Sequence, residues 1–303
     1  MHQKENLNRI KDHSNCIEMT RIITFNVNGI RSIATKAKDG TKNTGTEKDF
    51  RSSLLDLIET ENPDILCLQE VRSENEKDLE WLGRHYPYQV LNYSELKKGY
   101  SGTAILSKIE PSATHFDFEA VNPALIGDWT IRPTTREGRL ITCVWPNLVV
   151  VCVYTPNSGD GLVRLDERRA WDVLFRNYIR QLQVRLIGQH VIVCGDLNVA
   201  HTDDDIHTVK GNERVAGFTI EERTGFDKLL AECRLVDSWR AMNPGVRAWS
   251  WWSNFRQCRA RDVGWRIDYV LVPERIAKRL RRAEILKDYW GSDHAPYLVD
   301  WEN

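Results

Sequence analysis

The sequence predicts an α/β protein, and two observations carry that expectation. Short apolar runs recur at 21–27, 65–69, 103–107, 139–145, 148–154, 191–195, 267–272 and 297–301. Several of them, such as LVVVCVY and VIVCG, are continuously apolar rather than alternating, the pattern of strands covered on both faces. Between them lie stretches with helical spacing.

Each helix has a local reason. Trp171, Leu174, Phe175, Tyr178, Ile179, Leu182 and Leu186 repeat at three and four, and Gly188 follows as a stop. A second helix is expected over 219–232, opened by Thr219 with Glu222 three residues on, a capping box. A third, about 48–60, ends before Pro63. No internal repeat, Pro-rich linker or composition break divides the chain, so a single domain is expected over 20–303. The polar stretch 1–19 reads as a flexible N-terminal tail, and TKAKDGTKNTGTEKD, 35–49, as a flexible surface insertion.

Composition narrows the class. A hydrophobic fraction of 41% supplies ample core, and 28% charged residues keep the surface soluble. With a net charge of −1 there is no global basic signature, so a nucleic-acid partner would need a local cationic face. The seven cysteines show no C-x-x-C pairing, and Cys67, Cys143, Cys152 and Cys194 lie within apolar runs. Reduced thiols packed as small hydrophobes point to an intracellular, reducing compartment. No apolar stretch approaches the length of a membrane span, so no membrane partner is expected.

The strand ends share one chemistry. RIITFNV carries Asn26 and is followed by Asn28, ILCLQE ends in Glu70, VVVCVYTPN in Tyr154 and Asn157, and VIVCGDLN in Asp196 and Asn198. WRIDYVLV places Asp268 in its strand, and the turn GSDHAP supplies Asp293 and His294. Any one of these can be a polar turn. Gathered at one sheet edge, they would form a hard-oxygen cluster suited to Mg²⁺ or Mn²⁺. Excess acid beside a phosphodiester makes sense only if a cation neutralises both. An Asp, a His and a Tyr next to it would orient water and donate to phosphate oxygens.

In ITFNVNGIRS, PDILCLQE, GYSGTAILSK, YTPNSGDGLVRL, GDLNVAH, GFTIEERTGF, VDSWR, VGWRIDY and GSDHAP, taken in order over about residues 20–302, the chain resembles the exonuclease III family of AP endonucleases, within the endonuclease/exonuclease/phosphatase superfamily. GYSG, VGWRIDY and the tryptophan-rich WSWWSNF narrow the resemblance to the branch that works on damaged DNA. It implies a four-layered α/β sandwich of two packed mixed β-sheets flanked by helices, DNase I-like. The implied activity is Mg²⁺-dependent hydrolysis of the DNA backbone 5′ to an abasic site leaving a 3′-hydroxyl, with 3′→5′ exonuclease action and removal of blocked 3′ ends. The implied partner is double-stranded DNA bearing such lesions, the enzyme a monomer, and the compartment the nucleus in a eukaryote or otherwise the cytoplasm.

The resemblance implies residue roles. Glu70 would be the principal metal ligand, with Asn26, Asn28 and Asp293 in or near the metal shell and Asp196, Asn198 and His294 completing the set. Asp196 would orient or deprotonate the attacking water, Asn198 would help hold that water and the transition state, and Tyr154 would donate to or polarise the phosphate. His294 would contact the same phosphate and be held by Asp268. Trp251, Trp265 and Ile267 match an apolar pocket for a flipped, base-less sugar, which selects by size. Trp249 and Trp252 are expected in the core. Arg72, Gly99, Tyr100, Asn157, Asn212 and Arg214 fall where the family touches the DNA backbone, and surface ion pairing is the competing reading for the two arginines. Phe255 stands at a wedge position. Asp160 stands where some relatives carry an arginine that inserts into DNA, and Val215 replaces a polar residue. Two other readings stay open: a different phosphodiesterase of the superfamily, and a DNA-binding module that keeps the fold without the activity.

Overall fold

The computed structural model describes residues 19–41, 52–122, 124 and 136–302. Along the first strand, alternate side chains go to different cores: Ile22 packs between two sheets, whereas Ile23 and Phe25 pack under helices. Both faces are dry. The run is therefore continuously apolar.

Twelve strands occur among the described residues: β1 (Met19–Asn26), β2 (Ile65–Gln69), β3 (Tyr88–Asn92), β4 (Thr103–Ser107), β5 (Ala113–Phe116), β6 (Leu140–Val144), β7 (Leu148–Tyr154), β8 (His190–Asp196), β9 (Leu235–Asp237), β10 (Asp268–Pro273), β11 (Leu280–Ile285) and β12 (Tyr297–Glu302). One sheet runs β11-β12-β1-β2-β4-β3 and the other β5-β6-β7-β8-β10-β9. Each is mixed, with a parallel pair near its middle, β1/β2 and β7/β8. The helices are α1 (Ile30–Ile33), α2 (Ser53–Glu61), α3 (Leu165–Arg185), α4 (Ile220–Cys233) and α5 (Ser238–Met242).

Three cores make four layers, as the DNase I-like architecture requires. Cys67, Cys143, Cys152 and Cys194 join Ile22, Ile192, Val270 and Val299 between the sheets, where small side chains let the sheets approach. Trp171, Phe175, Tyr178 and Leu182 of α3, with Phe226 of α4, cover the outer face of the second sheet. Leu54, Leu57 and Ile58 of α2 cover the first. Trp249 and Trp252 lie in the inter-sheet core, as the sequence leads one to expect.

The helix signals hold with shifted bounds. Thr219 and Glu222 form the reciprocal capping box at the start of α4. The third expected helix begins at Ser53, not 48, because the Ser52 hydroxyl accepts the Leu55 N–H at 3.1 Å and fixes the start. Residues 48–51 lie outside the described residues. So do residues 1–18 of the expected tail, while Met19 already pairs with Glu302 in β1. The opening of the expected insertion is a packed segment: the Lys36 Nζ donates to the Gly291 carbonyl at 2.8 Å, and the Lys38 carbonyl accepts the Trp290 N–H at 2.8 Å. Its remainder, 42–49, lies outside the described residues.

Candidate active site

Strand register alone sets the first row of side chains. In the second sheet Tyr154 pairs with Asp196, and Asp196 pairs with Asp268. In the first sheet Asn26 stands opposite Gln69, and Glu70 follows at once. The two parallel pairs end on the same side of the sandwich, the side on which α/β sheets collect ligands. Glycine is required at 195, where φ is +145° and an added Cβ would stand 1.9 Å from the Val153 carbonyl oxygen. Glu70, with φ +49°, turns out of β2 in a left-handed conformation that a glutamate adopts only where its surroundings hold it.

Hydrogen bonds knit the two sheets together here. The Asn26 amide donates to Glu70 Oε1 at 3.0 Å and to Asp196 Oδ2 at 2.9 Å, linking carboxylates from different sheets. Asp196 Oδ1 accepts the Asn198 N–H at 2.9 Å, and the Asn198 amide donates to the Thr155 carbonyl at 2.8 Å while accepting from Asn157 at 3.0 Å. Asn28 donates to Asp293 Oδ1 at 2.8 Å, and the Trp251 indole reaches Asp293 Oδ2 at 3.3 Å. His294 Nδ1 lies 2.8 Å from Asp268 Oδ2, and its Nε2 lies 3.8 Å from Asp196 Oδ2.

Electrostatics follow from this crowding. Burial, then the charge of Asp268, pushes the Asp196 carboxyl up to about 7, partly opposed by His294. For His294 burial acts downward, but the charge and hydrogen bond of Asp268, then Asp196 and Asp293, carry it up to about 10, which favours the charged ring. Burial would raise Asp293, yet the His294 charge and the Asn28 bond hold it below its ordinary value. Burial and the Glu70 charge raise the Tyr154 phenol, so it stays a donor.

Glu70, Asp196 and His294 present ligand atoms within 4.8 Å of one another, a grouping found once among the described residues. The donors fit a hard divalent cation: two carboxylates, the Asn26 carboxamide between them, and Asp293 with Asn28 behind. Of the three, His294 fits such an ion least, because Asp268 occupies its Nδ1 and its neighbours favour the charged ring.

A small apolar cluster adjoins the acid cluster. Ala200, Ile206, Phe218 and Ile267 are buried in it, with Trp251 and Trp265 half-buried against them and their rings edge to face, 6.0 Å apart. Backbone bridges tie Trp251 to both Trp265 and His294, so the apolar cluster and the acid cluster meet at Trp251.

These observations agree with comparison to known proteins. The model of the endonuclease/exonuclease/phosphatase family matches residues 23–294. The chain belongs to that family. Among similar family members, an exodeoxyribonuclease of Bacillus subtilis (strain 168) is 38% identical over 278 residues, covering 91% of this chain and 97% of its own. The DNA repair nuclease APEX1 of Danio rerio is 38% identical over 282 residues, covering 92% of this chain and 81% of its own. Among solved structures, an AP endonuclease from Leishmania major superposes with a TM-score of 0.76 at 29% identity, covering 94% of this chain and 88% of that one.

On this family scaffold the expected residues distribute unevenly. Asn26, Asn28, Glu70, Tyr154, Asp196, Asn198, Asp268, Asp293 and His294 converge, and Asn157 joins them through Asn198. Arg72, whose side chain is about half exposed, forms an ion pair with Glu70 in which two of its nitrogens donate to Glu70 Oε2. Arg214 is paired with Glu221 at 2.9 and 2.8 Å, the surface ion-pair alternative. The Asn212 amide caps its own turn on the Thr208 carbonyl. Gly99, at φ +64°, leads into Tyr100, whose hydroxyl accepts from Arg139 at 3.0 Å and Arg164 at 3.3 Å. Phe255 is 66% exposed, as a wedge would need to be.

Several supporting residues carry no motif. Ser250 donates to Asp268 Oδ2 at 2.7 Å and accepts the Ile267 and Asp268 N–H groups at 3.0 Å. The Arg139 guanidinium lies 4.6 Å from the centre of the Tyr154 ring. Arg168, buried in α3, donates to the carbonyls of Pro156, Leu197 and Asn198 at 3.1, 2.9 and 3.0 Å, holding both loops of the second sheet. One sequence signal marks it: Arg168 sits three residues before Trp171, on the apolar stripe of its helix.

Proposed function

We propose that this protein is a Mg²⁺-dependent DNA repair nuclease that cleaves the backbone 5′ to abasic sites, leaving a 3′-hydroxyl, with 3′→5′ exonuclease and 3′-end-cleaning action at the same centre. The observation that carries this reading is the junction of two unlike side-chain groups. The Glu70–Asn26–Asp196 cluster with its Asp268–His294 pair meets, at Trp251, the apolar cluster of Phe218, Trp265 and Ile267. Relatives that act on such DNA support it, among them the AP endonuclease of Leishmania major. The cluster is complete within one chain, so the proposed centre needs no second subunit, and we propose that the enzyme acts as a monomer. The buried free thiols Cys67, Cys152 and Cys194 support an intracellular, reducing compartment.

The division of labour is as follows. Glu70, with Asn26 and Asp293, holds the cation, which when bound neutralises phosphate charge and acidifies water. Asp196 orients the attacking water and accepts its proton, and Asn198 holds it in line. His294, charged and fixed by Asp268, donates to the phosphate oxygens as negative charge builds, and Tyr154 adds a phenolic donor. Trp251, Trp265 and Ile267 enclose the sugar that has no base, while an intact nucleotide is too large to enter. Gly99, Tyr100, Asn157 and Phe255 face the duplex, and Arg72, Asn212 and Arg214 reach it only by leaving the partners that hold them, Glu70, the Thr208 carbonyl and Glu221.

The test is cleavage of a duplex with one abasic analogue against an undamaged control, with and without EDTA. Metal-dependent incision at the analogue is expected. Equal cutting of both duplexes would refute lesion specificity, and activity in EDTA would refute the cation's role.

A further inference from the structure

The turn that carries Asp293 and His294 is bridged to the Trp251 segment by the Trp252 N–H to the Asp293 carbonyl at 3.0 Å and the Ala295 N–H to the Ser250 carbonyl at 2.7 Å, but four of its carbonyls lack such pairing. Gly291 lies at φ +87°, and the carbonyls of Lys287, Tyr289, Ser292 and His294 receive no backbone N–H among the described residues. One side chain satisfies all four. Arg259 donates through NH2 to Lys287 and Tyr289, at 3.0 and 2.8 Å, and through NH1 to Ser292 and His294, at 2.6 and 3.2 Å. Its guanidinium lies between two indoles, 4.6 Å from the centre of Trp252 and 4.7 Å from that of Trp290. Trp252 is buried in the inter-sheet core, so the cation is held on one side by the fixed body of the sandwich.

Such a fork cannot be replaced by an ammonium, which offers a point charge and no plane to stack. The anchor comes from the segment that also presents Phe255 and Arg256 to solvent. That segment is closed on itself by the Val263 N–H to Cys258 carbonyl bond at 2.9 Å and the Asp262 N–H to Arg259 carbonyl bond at 3.0 Å. With the Lys287–Asp262 ion pair at 3.5 Å and the Trp252 N–H to Asp293 carbonyl bond, this guanidinium joins the exposed Phe255 turn to the turn of His294, and it alone among the described residues gathers four of that turn's carbonyls.

We propose that Arg259 is a positioning residue for the reaction: it sets the Asp293–His294 turn against Asp268 and Asp196 without itself touching substrate. The proposal rests on the role given to His294 above. A displaced imidazolium loses its aim at the phosphate, and misplacements of about 1 Å are enough to cost on the order of 100-fold in rate. Duplex affinity, which comes from separate cationic contacts, is spared.

The test compares Arg259→Ala and Arg259→Lys with the parent enzyme on the abasic-analogue duplex. Three readouts are taken: single-turnover rate, affinity for the uncut duplex in EDTA, and the hydrogen-bonded Nδ1 proton of His294 by NMR in the free protein. Both variants are expected to lose at least about 30-fold in rate with affinity unchanged within about threefold, and to lose or broaden the His294 proton. Added methylguanidinium should restore part of the rate and the resonance to Arg259→Ala, and none to Arg259→Lys. Arg259→Ala with His294→Asn should be no slower than His294→Asn alone. Multiplicative losses, an unaltered His294 resonance, or a loss of duplex affinity with the rate intact would overturn the proposal. Should Arg259→Ala not fold, Arg259→Lys decides by the same readouts. The NMR measurement needs no substrate, so it stands even if the parent enzyme fails to incise abasic DNA.

Discussion

His294 and Asp268 form one unit: the imidazole Nδ1 lies 2.8 Å from a carboxylate oxygen that Ser250 also binds, at 2.7 Å. Asp268→Ala is therefore expected to lower kcat on the order of 100-fold while metal and DNA affinity stay near normal, since a ring without its partner samples wrong tautomers and orientations. His294→Asn should cost at least as much. The double variant should be little worse than His294→Asn, and losses that multiply would show that the two act independently.

Glu70 offers the cleanest handle on the cation. Glu70→Gln keeps the volume and removes the anion, so the Mg²⁺ concentration for half-maximal rate should rise on the order of 10- to 100-fold. The protein should stay folded, as judged by its melting curve. An unchanged metal dependence would remove Glu70 from the ligand set.

Trp265→Ala removes the indole packed against Phe218 and Ile267. Discrimination between abasic and undamaged duplex should fall more than duplex affinity does, because pocket contact and backbone contact are separate sources of binding. The comparison is kcat/KM on the two duplexes. Equal proportional losses would contradict the pocket assignment.

Away from the site, Asp117 gives a pH-dependent stability. Burial, with the charges of Glu119 and Glu95, pushes its carboxyl up to about 7 against the Asn92 hydrogen bond that pulls it down. The folded state then binds this proton more tightly than the unfolded chain does. Its contribution is fully present below about pH 4 and is lost as pH rises toward 7. Asp117→Asn should flatten this fall and be the more stable protein at pH 8, by on the order of 2 kcal/mol after allowance for partial exposure. Urea midpoints at pH 4.5, 6 and 8 measure it. Parallel profiles for the two proteins would disprove the assignment.

Gly195→Ala should be among the most damaging single changes. Its methyl would stand 1.9 Å from the Val153 carbonyl oxygen, within the parallel pair that sets the level of Tyr154 against Asp196. A loss of about 4 kcal/mol or more is expected in urea unfolding, the range reserved for forced backbone movement. A variant of near-native stability would mean that β7 and β8 can separate at no cost.

The eight apolar runs in the sequence are the eight interior strands, and the four strands without such a run, β3, β5, β9 and β11, are the four sheet edges. The reason is physical. An interior strand is dry on both faces and must be apolar throughout, whereas an edge strand such as LRRAEI keeps one face in water and reads as an ordinary polar segment. The hydrolytic residues were legible for a related reason: they stand where continuous apolar runs stop, and acids and amides there contrast with what precedes them. Register then decided which of them meet, by placing Tyr154, Asp196 and Asp268 in one row and Asn26 between two carboxylates. Local sequence determined the interior strands, the α4 cap and the identity of the acids, because those depend on neighbours along the chain. Only the tertiary structure decided that Arg72 turns onto Glu70, that Arg168 grips the Asn198 loop and that Arg259 gathers four carbonyls. An arginine's partner is whatever polar group the packing leaves unsatisfied within its reach, and no spacing along the chain encodes it.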